Sequence, residues 1–191
     1  LSLALGTAVK DPSEIADSYV MAGRVLYERL LEGTDKILES DDAGAVLFEK
    51  KLVDKFARNL GMALQTLDEE AIRASVNELY QEVMNTPGVH GWEIMELAVQ
   101  CGSIFIMRLD IPDKAELQEA FRKKCDSCKT VNVLFECLLA FMTDRVKQML
   151  AVREEDSIRP VRLAKQYIHN HYQEQITLEE VSEYVGLTPA Y

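Results

Sequence analysis

The stretch that decides the fold of this protein is WEIMELAVQCGSIFIMRL, residues 92–109. Its apolar side chains, among them Ile94, Leu97 and Phe105, would point to nearly every side of a helix. A helix of this kind is typical of the centre of a helical domain, where other helices cover it all round. We therefore predict a mainly α fold, a helical bundle in which this helix is the central element.

Helical periodicity recurs on both sides of the central stretch. One helical pattern ends before Asp68, which is typical of a helix start, and a second pattern follows it. Thr86-Pro87-Gly88 then predicts a break between this second helix and the central helix. A short helix around Phe121 then leads to a long helix from about residue 130 to residue 152. Because the connections are short, we expect antiparallel neighbours, with residues 41–152 as a helical regulatory region. The apolar residues of the two earlier patterns are Leu52, Val53, Phe56, Leu60, Leu64, Ile72, Val76, Leu79, Tyr80 and Val83.

The first forty residues combine a short strand with a helix. Leucines at every second position predict a strand within residues 1–9. Asp11-Pro12-Ser13-Glu14 is typical of a helix start, and Gly33 is typical of a helix end. A single strand needs a sheet to join. We therefore interpret residues 1–40 as the strand-helix end, a strand remnant, of a larger module.

A charged link, Arg153-Glu154-Glu155-Asp156-Ser157, follows the predicted long helix. It has almost no apolar content and is the predicted boundary before a C-terminal segment, residues 157–191. A new helix is expected to open around Pro160 and to end near Gln173. The apolar side of this helix would consist of Val161, Ala164, Ile168 and either His171 or Tyr172.

The next segment starts with a capping box. The Thr177 hydroxyl can accept from the backbone N–H of Glu180, and the Glu180 side chain can reach back to the backbone of Thr177. A brief helix follows. The side chains expected to face inward from it are Leu178, Val181 and Val185.

The brief helix is followed by a turn and another helix start. Gly186 supplies the left-handed residue that a tight turn needs. Thr188-Pro189 would cap and start the next helix. Ser182 is small, which a helix needs when it must sit close against its neighbour. Helix, turn with glycine and capped helix together predict a partial helix-turn-helix at the C-terminus.

Residues 159–191 resemble the first helix-turn-helix of an AraC-type DNA-binding domain. The matching stretches are 164–172 and 176–191, with Ser182 where most relatives carry alanine. The resemblance implies two such units, so that the chain would stop within the first recognition helix. It also implies DNA as the partner of the complete domain. The DNA-binding residues implied by the resemblance are Thr177, Thr188, Pro189, Ala190 and Tyr191, with phosphates near Thr177 and Thr188 and bases near Ala190 and Tyr191.

The N-terminal segment resembles the end of a degenerate cyclase-like (GGDEF-like) module found in some AraC-type regulators. No catalytic signature accompanies it, so it implies no cyclase activity. The combination resembles response-regulator forms of the family, which implies signalling through a two-component system with a receiver further upstream. The residues that carry the likeness are Leu5-Gly6-Thr7-Ala8-Val9, Ser18-Tyr19, Ala22 and Arg29-Leu30-Leu31-Glu32-Gly33.

Charge and composition narrow the possible functions. The formal net charge of the chain is −11, which is a poor match for nucleic acid. Residues 157–191 contain three basic and four acidic residues, so this fragment alone should bind DNA weakly or not at all. No run of about 20 apolar residues predicts a membrane span. Four cysteines without a secretion signal favour reduced thiols and a cytoplasmic location.

Several alternatives compete with DNA binding. Cys125-Asp126-Ser127-Cys128 is a CxxC, but a structural zinc site needs four ligands at fitting spacing, so we expect neither a metal nor a redox site. His90 lies in a loop with no expected partner. No nucleophile arrangement or phosphate loop indicates an enzyme or a cofactor. The long helix could instead form a homodimer seam. A helical sensor is the second hypothesis, with a ligand pocket lined by Trp92, Met95 and Met107.

Overall fold

The predicted mainly α fold is confirmed. A computed structural model describes residues 2–39, 48, 50–173 and 175–188. Strands β1 and β2 span Leu3–Leu5 and Ile37–Glu39, and short 3-10 turns cover Pro12–Glu14 and Leu26–Glu28. The helices are α1 Ile15–Val25, α2 Arg29–Glu32, α3 Lys50–Thr66, α4 Glu69–Asn85, α5 Gly91–Arg108, α6 Lys114–Asp126, α7 Val131–His171 and α8 Leu178–Val185.

Helix α5 is the centre of the core, as its apolar pattern predicts. Ten of its eighteen residues are buried. It contacts α3, α6 and the N-terminal helices. The side chains of Ile94, Phe105 and Ile106 have no exposed surface. Gly102 allows α6 to approach closely, because a Cβ built there would lie 2.1 Å from Cε1 of Phe121.

The N-terminal segment forms a small β-α-β unit. Strand β1 pairs in parallel with β2, with Leu3 opposite Ile37. The strand predicted within residues 1–9 is therefore confirmed, but it is only three residues long. Leu38 is the buried residue of β2, whereas Leu3 and Leu5 are about half exposed (55% and 50%). The predicted helix stop at Gly33 is also confirmed, since this residue ends α2 with a φ of 90°.

This unit is attached to the start of α5 and the end of α6. The backbone N–H of Gly91 donates to Oε1 of Glu28 at 3.0 Å. The Tyr27 hydroxyl donates to Oδ1 of Asp126 at 2.8 Å, and Arg29 donates to the carbonyl oxygen of Asp126 at 2.7 Å. Because these bonds join residues far apart in the chain, the N-terminal segment and the bundle form one packed body.

The predicted helix break at 153–157 is wrong. Helix α7 runs without interruption from Val131 to His171 and contains Pro160. Arg153, Glu154 and Glu155 are good helix formers, and a cluster of charges marks a solvated helix surface as readily as a loop. Proline removes one backbone hydrogen bond from a helix interior, but here it does not end the helix.

Contacts divide the chain into two compact units, residues 1–144 and 145–191. The first contains β1 to α6 and the start of α7. The second contains the rest of α7 and α8. The boundaries 1–40, 41–152 and 157–191 stay predictions about domain identity. None of the helices in the described ranges combines the length and apolar character that crossing a bilayer requires.

Candidate functional site

The predicted capping box at the start of α8 is confirmed. The Glu180 backbone N–H donates to Oγ1 of Thr177 at 3.2 Å, and the Thr177 backbone N–H donates to Oε2 of Glu180 at 2.8 Å. Thr177 has an extended backbone, with φ −104° and ψ 160°. Two backbone donors that a helix start leaves unpaired are thereby satisfied within four residues.

The predicted turn at Gly186 is also confirmed. Gly186 adopts a left-handed conformation, with φ 74° and ψ 25°. Its N–H donates to the carbonyl of Glu183 at 3.2 Å, and the N–H of Leu187 donates to the carbonyl of Ser182 at 2.9 Å. This pair of bonds is a Schellman motif, which ends α8 and redirects the chain.

Helix α8 packs against the last turns of α7. Ser182 is 7% exposed, and its hydroxyl donates to the carbonyl of Leu178 at 2.7 Å. The rings of Tyr167 and Tyr184 lie 4.9 Å apart between centroids, and Tyr167 also stacks on His171 at 4.5 Å. The expectation that a small residue is buried at position 182 is therefore confirmed.

One expectation about the apolar faces of this unit is wrong. Leu178 is 64% exposed rather than inward-facing, while Val181 and Val185 are half-buried. Val161 and Ile168, on the predicted apolar side of α7, are exposed to solvent. The described part of residues 145–191 contains only two helices, the end of α7 and α8. Two helices cannot bury the whole apolar side of each other, so part of both apolar sides stays exposed. The exposed apolar side chains of the unit include Ile158, Val161, Ile168, Tyr172, Leu178 and Leu187.

The residues implied to bind DNA lie at the two ends of α8 and beyond it. Thr177 and Thr188 are both exposed. They are separated by the length of α8, about 12 Å for eight residues. Pro189, Ala190 and Tyr191 lie outside the described residues. The structure thus describes the predicted turn and the caps of α8, and it does not describe the residues predicted to contact bases.

Residues 1–144 contain a cavity of about 510 Å³ between the N-terminal helices, α5 and α6. The guanidinium of Arg24 lies over the Trp92 ring, 4.9 Å from its centroid. Trp92 and Met95 line the cavity, as the sensor hypothesis expects. Met107 does not, because it is 62% exposed at the far end of α5. The full lining is Arg24, Tyr27, Trp92, Met95, Glu96, Val99, Gln100 and Arg122.

The expectation for His90 is wrong, because this residue has a structural role. Its Nδ1 lies 3.4 Å from Oε1 of Glu28, and its backbone N–H donates to Oε2 of Glu93 at 3.0 Å. His90 thus caps α5 and joins it to the N-terminal unit. Glu28 is far away in the sequence, so no local pattern indicates this partner.

Among the described residues, no group of three or more His, Cys, Asp and Glu side chains could hold a metal ion. Cys125 lies in the last turn of α6, Cys128 in the connection and Cys137 in the second turn of α7, and all three are free thiols.

Comparison with known proteins gave no match: no family model, curated protein or solved structure is significantly similar to the chain.

Proposed function

We propose that this chain is part of an AraC-type transcription regulator and that residues 145–191 include the start of its DNA-binding helix-turn-helix. The observation that carries the proposal is the end of α8, where Gly186 is left-handed, Ser182 is buried and Tyr184 stacks on Tyr167 of α7. A helix-turn-helix needs both features, since its two helices meet closely and its turn is short. The resemblance of residues 159–191 to the family supports the same assignment.

In this proposal the chain regulates and does not catalyse. The first recognition helix and the bases it reads would lie beyond Thr188, with Ala190 and Tyr191 at the first base contacts and Thr177 and Thr188 near phosphates. The exposed apolar stripe around Leu178 is the surface that further helices of such a domain would cover. Dimerisation through the helical region, a cytoplasmic location and control by a two-component pathway belong to the same proposal.

The test is specific DNA binding by the complete gene product. We expect it to bind its own promoter DNA in a gel-shift or anisotropy assay at a fixed physiological salt concentration, because affinities for DNA depend steeply on salt. Absence of sequence-specific binding, with unrelated DNA of equal length as competitor, would contradict the proposal.

A Gly186→Ala variant should weaken this binding. A left-handed backbone costs a residue with a Cβ about 1–2 kcal/mol, so the turn would be displaced or partly melted. If the DNA-bound protein must keep the left-handed turn and the free protein need not, the full 1–2 kcal/mol weakens binding. The dissociation constant then rises about 5–30-fold. Fluorescence anisotropy with labelled promoter DNA measures this change.

Gly33→Ala is the matched control for this variant. Gly33 also has a positive φ, but it ends α2 in the other unit. We expect it to lower thermal stability while leaving the affinity of the folded protein for DNA within about twofold, less than ~0.5 kcal/mol. Equal loss of affinity in both variants would show that general destabilisation explains the effect.

The cavity at Trp92 favours a second function, in which residues 1–144 sense a small ligand. Arg24 and Arg122 supply two cationic groups, while Trp92, Met95 and Val99 supply apolar and aromatic surface. Cavities of a few hundred Å³ that combine apolar side chains with polar groups are typical of small-molecule sites. Because the two arginines outnumber the single carboxylate of the lining, Glu96, the cavity favours an organic acid with an apolar or aromatic body. Such a sensor would not need to bind DNA itself.

Titration of the chain with aromatic carboxylates should change its tryptophan fluorescence. Trp92 is the only tryptophan of the chain and lines the cavity, so the signal comes from a single side chain at the site. We expect Arg24→Gln with Arg122→Gln to weaken binding at least about tenfold, which corresponds to the ~1.4 kcal/mol expected for lost charge-assisted hydrogen bonds. Arg73→Gln, on the surface of α4, is the control and should bind normally. A change that is equal in all three proteins would exclude the cavity as the site.

A further inference from the structure

A second cavity, of about 160 Å³, lies where the start of α3 meets α5. We call it the small cavity, and the 510 Å³ cavity beside Arg24 the large cavity. The apolar wall of the small cavity consists of Phe48 just before α3, Val53 of α3 and Leu97 of α5. In another protein, a dry cavity of about 150 Å³ holds one benzene molecule. The small cavity therefore has room for a ligand with a body of about one ring.

Glu93 lines the small cavity and has one oxygen without a partner. The residue is 4% exposed. Its Oε2 accepts from the backbone N–H of His90 at 3.0 Å, whereas its Oε1 is buried and accepts no hydrogen bond from any residue that the structure describes. Buried polar atoms are nearly always paired, because an unpaired one loses its bonds to water and gains none in return. The Oε1 atom therefore calls for a donor from outside the described chain.

The lining of the small cavity is acidic. Glu93 and Glu96 are three positions apart on α5, so their side chains are neighbours on the helix surface. Glu96 is exposed. None of the described residues that line the small cavity carries a basic group. Because two carboxylates at this spacing repel each other, a bound cation would offset the repulsion and supply the missing donor.

The remaining side chains favour an organic cation over a metal ion. The rings of Trp92 and Phe48 line the small cavity, and aromatic rings attract ammonium groups. Calcium and magnesium need six or more oxygen ligands, of which this apolar wall supplies few. No group of three or more possible metal ligands occurs in the described ranges. An ammonium group attached to an apolar body matches both the carboxylates and the wall.

The two cavities differ in charge although they share one side of α5. Arg24 and Arg122 line the large cavity, whereas Glu93 lines the small one. A cation and an anion would therefore be sorted to different cavities. The residues that line both cavities follow one another at intervals of four along α5 and are Trp92, Glu96 and Gln100.

We propose that the small cavity binds an organic ammonium ion whose apolar body is about the size of one ring. The ammonium group donates a hydrogen bond to Oε1 of Glu93, and Glu96 supplies the second negative charge. The apolar body lies against the wall between α3 and α5. This site depends neither on DNA binding nor on acid binding in the large cavity.

Isothermal titration calorimetry of the full chain with benzylammonium chloride tests the proposal. We expect saturable binding of one benzylammonium ion per chain. Benzyl alcohol has the same ring without the charge, so it should bind at least about tenfold more weakly, as expected when a charge-assisted hydrogen bond is lost. No saturable binding of benzylammonium, or equal affinity for the two compounds, would overturn the proposal.

Glu93→Gln removes the charge and keeps the helix cap, because a glutamine at this position can still accept from the N–H of His90. We expect the dissociation constant of benzylammonium to rise at least about tenfold. Glu136→Gln is the matched control, since Glu136 is an exposed carboxylate of α7, and should stay within about twofold. Equal affinities in the two variants would overturn the assignment to Glu93. Circular dichroism verifies that both are folded.

Val53→Phe tests the cavity without changing any charge. Val53 is half-buried, and a larger side chain there would fill the space between α3 and α5. Saturable benzylammonium binding should be lost in this variant. Binding that persists with unchanged affinity would mean that the amine lies elsewhere on the chain and would overturn the proposal, even if Glu93→Gln does not fold.

The arginines of the large cavity provide the last comparison. Arg24→Gln combined with Arg122→Gln removes two positive charges without touching the lining that is unique to the small cavity. Benzylammonium should bind this double variant as tightly as the unmodified chain, or more tightly. Loss of benzylammonium binding in the double variant would place the amine in the large cavity and overturn the proposal.

Discussion

Replacing Phe121 with alanine should lower the free energy of unfolding of residues 1–144 by about 3–5 kcal/mol. Phe121 is 1% exposed, and its ring centroid lies 4.5 Å from that of Phe141. Phe141 in turn contacts the ring of Phe105 on α5, 5.8 Å between centroids. Deleting the ring removes apolar contacts from three helices and leaves a cavity that closely packed neighbours cannot fill.

Urea denaturation followed by Trp92 fluorescence measures this loss in the unit that contains Phe121. Tyr19→Ala is the matched control, since Tyr19 is an aromatic residue of α1 that is 80% exposed. A surface substitution of this kind should change the free energy of unfolding by less than about 0.5 kcal/mol. A loss below about 1 kcal/mol for Phe121→Ala would mean that the three rings do not form the core described above.

Features held by local hydrogen bonds could be predicted from the sequence. Asp68 caps α4 by accepting from the N–H of Ala71 at 3.0 Å, and Thr177 caps α8 in the same way. Gly33 and Gly186 end helices because their positive φ favours glycine. In each case the residues that form the cap lie within four positions of one another. The short sequence pattern that predicts the cap therefore contains the residues that make its hydrogen bonds.

Pairings across the chain could not be predicted in this way. Strand β2 has only three residues, and its partner β1 lies more than thirty positions earlier. The short apolar run Ile37-Leu38 after Gly33 was its only signal. His90 lies beside Glu28 only because separate elements pack together.

The continuous helix α7 illustrates a different limit. Low apolar content at 153–157 suggested a linker, but helix propensity depends on the backbone preference of each residue and not on its hydrophobicity. Arg153 and Glu154 favour a helix as strongly as most apolar residues do. The low apolar content of residues 153–157 therefore indicates correctly that the segment is solvated. The loop predicted from it is wrong, because the segment is helical.

Gly102→Ala should lower the free energy of unfolding, although alanine is the better helix former. The new Cβ would lie 2.1 Å from Cε1, 2.6 Å from Cδ1 and 2.8 Å from Cζ of Phe121. Phe121 cannot turn away, because its ring is buried against Phe141. Helices α5 and α6 must therefore separate, and overpacking of this kind costs about 1–3 kcal/mol. The gain in helix propensity, about 1 kcal/mol, offsets only part of that cost.

The same substitution at Gly23 should have the opposite effect. A Cβ at Gly23, in α1, has no atom within 4 Å, so only helix propensity changes. We expect Gly23→Ala to raise the free energy of unfolding by about 0.5–1 kcal/mol in the same urea experiment. The two variants differ only in what the added methyl group meets, so their opposite signs isolate the contact with Phe121.

A second substitution tests whether the contact with Phe121, and not a general effect on α5, causes the lower free energy of unfolding of Gly102→Ala. Combining Gly102→Ala with Phe121→Leu removes part of the ring that the new methyl group meets. The double variant should be less destabilised than the sum of the two single variants by about 0.5–3 kcal/mol, which is the range for residues in contact. Simple additivity would mean that α5 and α6 are not packed through this pair, since residues that do not touch contribute independently to stability.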